Sequence, residues 1–203
     1  ILLILPANLS TSALLFFMVL ILVFLGGYPI KYLLWMLCMG LFMALLFVLI
    51  AKAYPGWVPN RIDTWISRIE NFNSAEETSG NYQIERAKTA IATGGLLGLG
   101  AGKSVMKNFL PQSSSDFIYA IIVEEFGLVG GTALILLYLL VLFRIVVIAH
   151  KSDTVYGKLL VLGMGLPIII QAFVNIAVAL QVFPVTGQTL PLISSGGTAA
   201  WMT

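Results

Sequence analysis

Three carboxylates stand close together in a sequence that is otherwise poor in charge. Asp116, Glu124 and Glu125 lie within Pro111–Gly127 (PQSSSDFIYAIIVEEFG), at the mouth of a long apolar run. A carboxylate at a membrane boundary is expensive to desolvate, so it is a functional suspect by default. Held just outside the hydrocarbon, such a group could accept a proton, which is general-base work. A purely local role competes with that one. The Ser113–Ser115 run offers N-cap hydroxyls, which accept from the orphan N–H groups of a helix start. Asp116 would then sit in the first helical turn, where the helix dipole favours negative charge. On this stretch alone both roles are open to Asp116.

Cations and polar residues supply further candidates. Arg61–Phe72 places Ile62, Trp65, Ile66, Ile69 and Phe72 at helical spacing after Pro59 and Asn60. That pattern predicts an amphipathic helix in the membrane interface, anchored by Trp65. Arg61 and Arg68, seven residues apart, share a face, where snorkelling towards headgroups competes with ligand binding. The run Gly94–Ser104 (GGLLGLGAGKS) fits neither phosphate-loop pattern. Leu97 stands where a Walker loop needs glycine, and Lys103 where a dinucleotide fingerprint needs its third. Small residues at this density predict close backbone packing or a re-entrant turn instead. Gln171 and Asn175, four apart in an apolar helix, predict hydrogen bonds to a neighbouring helix, with substrate contact the alternative. Ser194-Ser195-Gly196-Gly197 could turn N–H groups towards an anion. A plain helix start is equally consistent with those four residues.

The elements that must position these groups are membrane spans. The 203 residues are 59% apolar and 10% charged, with a mean hydropathy of +0.99. A soluble domain carries roughly 25% charged residues, so the composition predicts an all-α, polytopic integral membrane protein. A net charge of +2 is too small to imply nucleic acid. One cysteine, Cys38, and one histidine, His150, exclude a disulfide framework and a thiolate or histidine metal cluster. Spans are expected at about 9–25, 32–50, 126–148 and 159–183, with partial spans at both ends. The first two form a hairpin through Gly26-Gly27-Tyr28-Pro29. Both ends fall within apolar sequence, so the chain reads as part of a longer protein. Lys31 marks one short connection and Arg144, Lys151 and Lys158 another, which puts both in the cytoplasm and the region 52–115 outside.

Taken in order, these motifs resemble the SEDS family, the FtsW/RodA/SpoVE group, over essentially all 203 residues. Arg68-Ile69 with Phe72 is similar to the family's R-[hydrophobic]-x-x-F. Tyr82-Gln83, Ala90-Ile91-Ala92 and the glycine run resemble its Y-Q…A-I-x-x-G-G-x-x-G-x-G-x-x-S. Leu110-Pro111, Asp116-Phe117-Ile118 and Glu124-Glu125-Phe126-Gly127 resemble L-P…T-D-F-I-F…E-E-x-G. Gln171, Asn175, Pro184-Val185-Thr186-Gly187 and Leu190–Gly197 resemble Q…N…P-x-T-G-x-x-L-P-x-I-S-Y-G-G-S-S. Several positions depart from the pattern. The acid of P-D-x-G-T is missing from Pro6–Thr11, and Ser114-Ser115 stand for His-Thr. Ser195 replaces a tyrosine, and Trp65 a basic residue.

The resemblance implies the C-terminal half of a ten-span enzyme of the bacterial cytoplasmic membrane that polymerises lipid II, with the FtsW branch favoured. It implies Asp116 as the catalytic acid of a large extracytoplasmic loop. It also implies a substrate-binding set of Arg68, Lys107, Gln83, Ser194, Gly196 and Gly197, supported by Glu124, Glu125, Gln171 and Asn175. Expected partners are lipid II, a class B penicillin-binding protein, divisome proteins and membrane lipids. No cofactor is expected, a divalent cation being the one addition left open. A lipid-linked precursor transporter and a scaffold that recruits a synthase are the alternatives.

Overall fold

In the computed structural model of the chain, the described residues are 4, 8–53, 79–110 and 114–195. The regular elements among them are all helices, with no strand. Helix α1 (Leu9–Leu25) is followed by α2 (Ile30–Ala53) and α3 (Ser79–Gly94). A short 3-10 turn, η1 (Met106–Asn108), precedes α4 (Ile118–Lys151) and α5 (Val155–Ala179). Ile30–Ile50, Ile118–Lys151 and Val155–Ala179 are long and apolar enough to cross a membrane, and α1 is a shorter apolar helix. The chain is a multi-pass membrane protein. The amphipathic stretch 61–72, with Arg61, Trp65 and Arg68, and the pair Gly196-Gly197 lie outside the described residues.

Two compact units divide the chain, Ile1–Ser67 with Ile145–Pro167 and Arg68–Arg144 with Ile168–Thr203. In the first, the Asn8 side chain caps α1 by accepting from Thr11 N at 3.2 Å. Gly27, at φ +85°, ends it, with Tyr28 N donating back to Val23 O at 3.3 Å. A left-handed residue closing a helix in this way is what favours glycine there. Gly40 of α2 lies against the Phe16 ring of α1, so close that a Cβ would come 2.5 Å from Cζ. Here the hairpin predicted from Gly26–Pro29 forms as expected.

The second unit carries a small core of Ala87, Ala90, Leu110, Phe117, Ala120 and Val178. Alanines at 87 and 90 let α3 lie close against the start of α4. Helix α4 is interrupted at Gly127, whose φ of 69° and ψ of −172° are not helical. The interruption has a partner, the glycine run. An unbroken helix would pair Leu128 N with Glu124 O and Val129 N with Glu125 O. Instead Leu128 N donates to Gly95 O at 2.9 Å and Val129 N to Leu96 O at 3.3 Å. The two released carbonyls accept from Leu99 N (3.0 Å) and Gly100 N (2.9 Å). Four loop bonds thus replace two helical ones, which leaves none of these polar groups orphaned in a low-dielectric setting. Such an approach requires glycine. A Cβ on Gly98 would lie 2.2 Å from Glu125 O, and one on Gly127 2.2 Å from Leu96 O. The close packing expected of Gly94–Ser104 is present, and it is made against α4.

Helix limits differ from the spacing-based ones in three places, and α2, expected at about 32–50, runs Ile30–Ala53. The helix expected at about 126–148 begins at Ile118, because Phe117 and Ala120 already pack in the core. The one expected at about 159–183 runs Val155–Ala179. Thr154 caps its start, accepting from Gly157 N at 3.1 Å. Gln181, at φ 59°, turns the chain at its end.

Candidate functional site

Asp116 lies in a turn that precedes α4, not in the first turn of the helix, which holds no acidic residue. Ser114 and Ser115 therefore do not cap α4, and Ser113 lies outside the described residues. The physical reason is that the backbone of the turn is held elsewhere, at three successive carbonyls. Ser114 O accepts from both the N–H and the hydroxyl of Ser195, each at 3.1 Å. Ser115 O accepts from Ser194 Oγ at 2.6 Å, and Asp116 O from Asn175 Nδ2 at 2.8 Å. The Ser115 hydroxyl donates to Asp116 Oδ1 at 2.8 Å, so it steadies the carboxylate instead of capping the helix. Asp116 Oδ2 faces Gly187, where a Cβ would stand 3.7 Å away. Gly187 has φ +69°. As a residue Asp116 is partly exposed.

The loop after α5 forms the opposite wall, and the polar pair of that helix holds it. Asn175, 1% exposed, gives its second amide hydrogen to Gln188 O at 2.6 Å. One turn earlier, Gln171 Nε2 donates to Thr189 O at 3.1 Å. Ser194 Oγ also accepts from Leu190 N at 2.8 Å, and the Tyr138 hydroxyl donates to Pro191 O. Gln171 and Asn175 thus hydrogen-bond as the sequence suggested, but to loop backbone instead of a neighbouring helix. Ser194 is buried, with its hydroxyl engaged on both sides, and the Ser195 N–H is already bonded.

Glu124 and Glu125 diverge on α4. Glu124 is 1% exposed and takes three donors, Ser104 Oγ, Val105 N (3.1 Å) and Met106 N (3.3 Å). It fastens the turn that leads into η1 and does not pair with a cation through these bonds. Glu125 is half-buried, and its main chain, not its carboxylate, holds Gly100. Lys107 is exposed at η1, with its N–H on Ser104 Oγ at 3.1 Å. Gln83 is half-buried on α3, one turn before the core residue Ala87. Asn175 is therefore bonded directly to Asp116, Ser194 to the preceding residue Ser115, and Gln171 holds the same loop as Asn175. Among the described residues, no three His, Cys, Asp or Glu side chains gather as a metal site.

The spacing of residues does not reveal Ser104 or the Tyr138–Pro191 bond. Nor does it find Arg86, whose guanidinium lies 4.9 Å from the Tyr82 ring centroid and 5.9 Å from that of Phe109. Only the Tyr82-Gln83 motif pointed to that face of α3.

Comparison with known proteins matches the family model described as "Cell cycle protein", of the FtsW/RodA/SpoVE group, across residues 1–203. A probable peptidoglycan glycosyltransferase FtsW of Nitrosococcus halophilus is 38% identical over 133 residues, 64% of this chain and 34% of that protein. Stage V sporulation protein E of Bacillus subtilis is 41% identical over 137 residues, 66% of this chain and 37% of that one. The peptidoglycan glycosyltransferase MrdB of Escherichia coli is 39% identical over 127 residues, 62% and 34% of the two chains. A solved structure, described as "Structural coordination of polymerization and crosslinking by a peptidoglycan synthase complex", superposes with a TM-score of 0.66 at 28% identity. That match covers 99% of this chain and 54% of the other. The matches to the three curated relatives span about a third of their length. Over its whole length, and with the broken α4 and the tied Asp116 turn at its centre, the chain belongs to the FtsW/RodA/SpoVE family.

Proposed function

We propose that the protein is a peptidoglycan glycosyltransferase that polymerises lipid II into glycan strands at the bacterial cytoplasmic membrane, in septal wall synthesis during division. The observation that carries this reading is the tethered Asp116 turn. Its backbone is held at three carbonyls while Asp116 itself remains partly exposed. A general base needs that combination of fixed position and access to a reacting hydroxyl. In the reaction, a sugar hydroxyl attacks an anomeric carbon and its proton passes to Asp116. The bond from that carbon to the pyrophosphate oxygen breaks, and the lipid pyrophosphate leaves with the electron pair. Arg68 and Lys107 supply positive charge for the leaving group. Gln83, Gly196 and Gly197 complete the substrate contacts, while Ser194 holds the Asp116 turn.

The relatives named as peptidoglycan glycosyltransferases support the reaction class, and the neighbouring synthase complex, which joins polymerization to crosslinking, supports a crosslinking partner, for which we propose a class B penicillin-binding protein. Purified protein supplied with lipid II in liposomes provides the test. Glycan polymer is the expected product. Movement of lipid II between leaflets without polymer would instead identify a transporter, and neither activity a scaffold.

A further inference from the structure

Glu124 closes a loop at both ends. Its main-chain oxygen accepts from Leu99 N at 3.0 Å. Its carboxylate accepts from Ser104 Oγ, Val105 N and Met106 N. Ser104 Oγ in turn takes Lys107 N at 3.1 Å. The segment 99–106 therefore leaves one buried residue and returns to it. Within and beside it ride two exposed cations, Lys103 and Lys107. Gly100 and Gly102, at φ +104° and +75°, give the loop backbone freedom that must be restrained if it is to hold one shape. All three donors to the Glu124 carboxylate are neutral, so its charge is used to hold the loop and not to cancel a lysine in these bonds.

We infer that Glu124 is a positioning residue, which presents Lys103 and Lys107 to the diphosphate of a polyprenyl-linked substrate. The inference rests on the glycosyltransferase reading, which supplies that diphosphate. A cation held in place before binding loses less conformational freedom when it meets a phosphate. Glu124 thus acts on affinity, and Asp116 on turnover.

The test measures apparent KM and kcat for lipid II, the Kd of a polyprenyl diphosphate in detergent, and a melting curve. Wild type is compared with Glu124→Ala, Glu124→Gln, Ser104→Ala and Asp116→Asn. Glu124→Ala should weaken diphosphate binding about tenfold and raise KM to match, with a smaller change in kcat. Glutamine restores most of that affinity, because its oxygen can accept from the two N–H groups while its amide donates to Ser104 Oγ. Ser104→Ala should cost about threefold in affinity, and Asp116→Asn should lower kcat while Kd holds. Wild-type Kd and KM in Glu124→Ala would overturn the inference. So would loss of turnover at unchanged KM in Glu124→Gln, which would put Glu124 in the proton chemistry. If Glu124→Ala fails to fold, unchanged affinity in Ser104→Ala overturns it. Wild-type protein that binds the diphosphate but makes no polymer would refute the enzyme reading alone and leave this comparison intact.

Discussion

Asn175 Nδ2 donates to the main-chain oxygen of Asp116 at 2.8 Å, across 59 residues of sequence. The same nitrogen donates to Gln188 O at 2.6 Å. One buried amide on α5 therefore ties the turn before α4 to the loop after α5. The side chain of Asp116 takes no part in either bond, so it stays available for chemistry while its backbone is fixed.

Removing the carboxylate separates the catalytic role from the structural one. Asp116→Asn keeps the size of the side chain and the backbone bonds but cannot take a proton at neutral pH. As the general base, Asp116 should be worth roughly 10²–10⁴-fold in rate. Lipid II polymerisation should fall by that factor with the melting temperature nearly unchanged. Near wild-type polymer from a well-folded variant would return Asp116 to a stabilising role, worth about 0.3–1 kcal/mol near a helix start.

The tie itself can be cut. Asn175→Ala leaves two carbonyls without their donor in a site that is 1% exposed. Destabilisation of about 2–3 kcal/mol is expected, with polymerisation lost in parallel. Asn175→Asp should be worse, since it removes both donors and turns negative charge towards two carbonyl oxygens. A thermal shift series on the purified variants checks the order. A melting temperature in Asn175→Asp at or above that of Asn175→Ala would contradict it.

Two glycines with positive φ make a controlled comparison. Gly127→Ala would push a Cβ to 2.2 Å from Leu96 O, whereas a Cβ on Gly95 meets nothing within 4 Å. Gly95→Ala should cost only the backbone term, about 1 kcal/mol. Gly127→Ala adds a collision with main chain and should cost roughly 3 kcal/mol or more. Yield of folded protein from membranes and the melting temperature report the difference. Equal effects would mean that α4 can re-form its helix across position 127.

Lysines and arginines in the short connections set the orientation. In a Cys38→Ser background, Lys103→Cys should react with a membrane-impermeant maleimide on spheroplasts and Asp153→Cys should be protected. Both positions are exposed in the fold, so burial does not confound the comparison. The reverse labelling pattern would invert the topology.

Hydropathy alone determined that the chain is built of apolar membrane helices, because runs of this length and composition have no other stable solution in a bilayer. It also drew attention to Asp116, Glu124 and Glu125, since charge is rare enough here that each carboxylate stands out, and the family motif selected Asp116 among them. The polar pair Gln171 and Asn175 and the density of small residues in Gly94–Ser104 were likewise legible, as was the close packing those small residues imply.

Their partners were not legible. Gly127 reads as an ordinary helical glycine in an apolar run, and its positive φ exists only because Gly95–Gly100 takes over the hydrogen bonds of the broken turn. Ser113–Ser115 reads as a cap, yet Ser194, Ser195 and Asn175 claim the carbonyls of that turn and move Asp116 out of the helix. Glu124 and Glu125 are adjacent in sequence and alike in charge, but only Glu124 points its carboxylate at Ser104. Periodicity reports which face of a helix is apolar. Which buried donor meets which carbonyl is decided between segments tens of residues apart, where only the folded chain brings them within 3 Å.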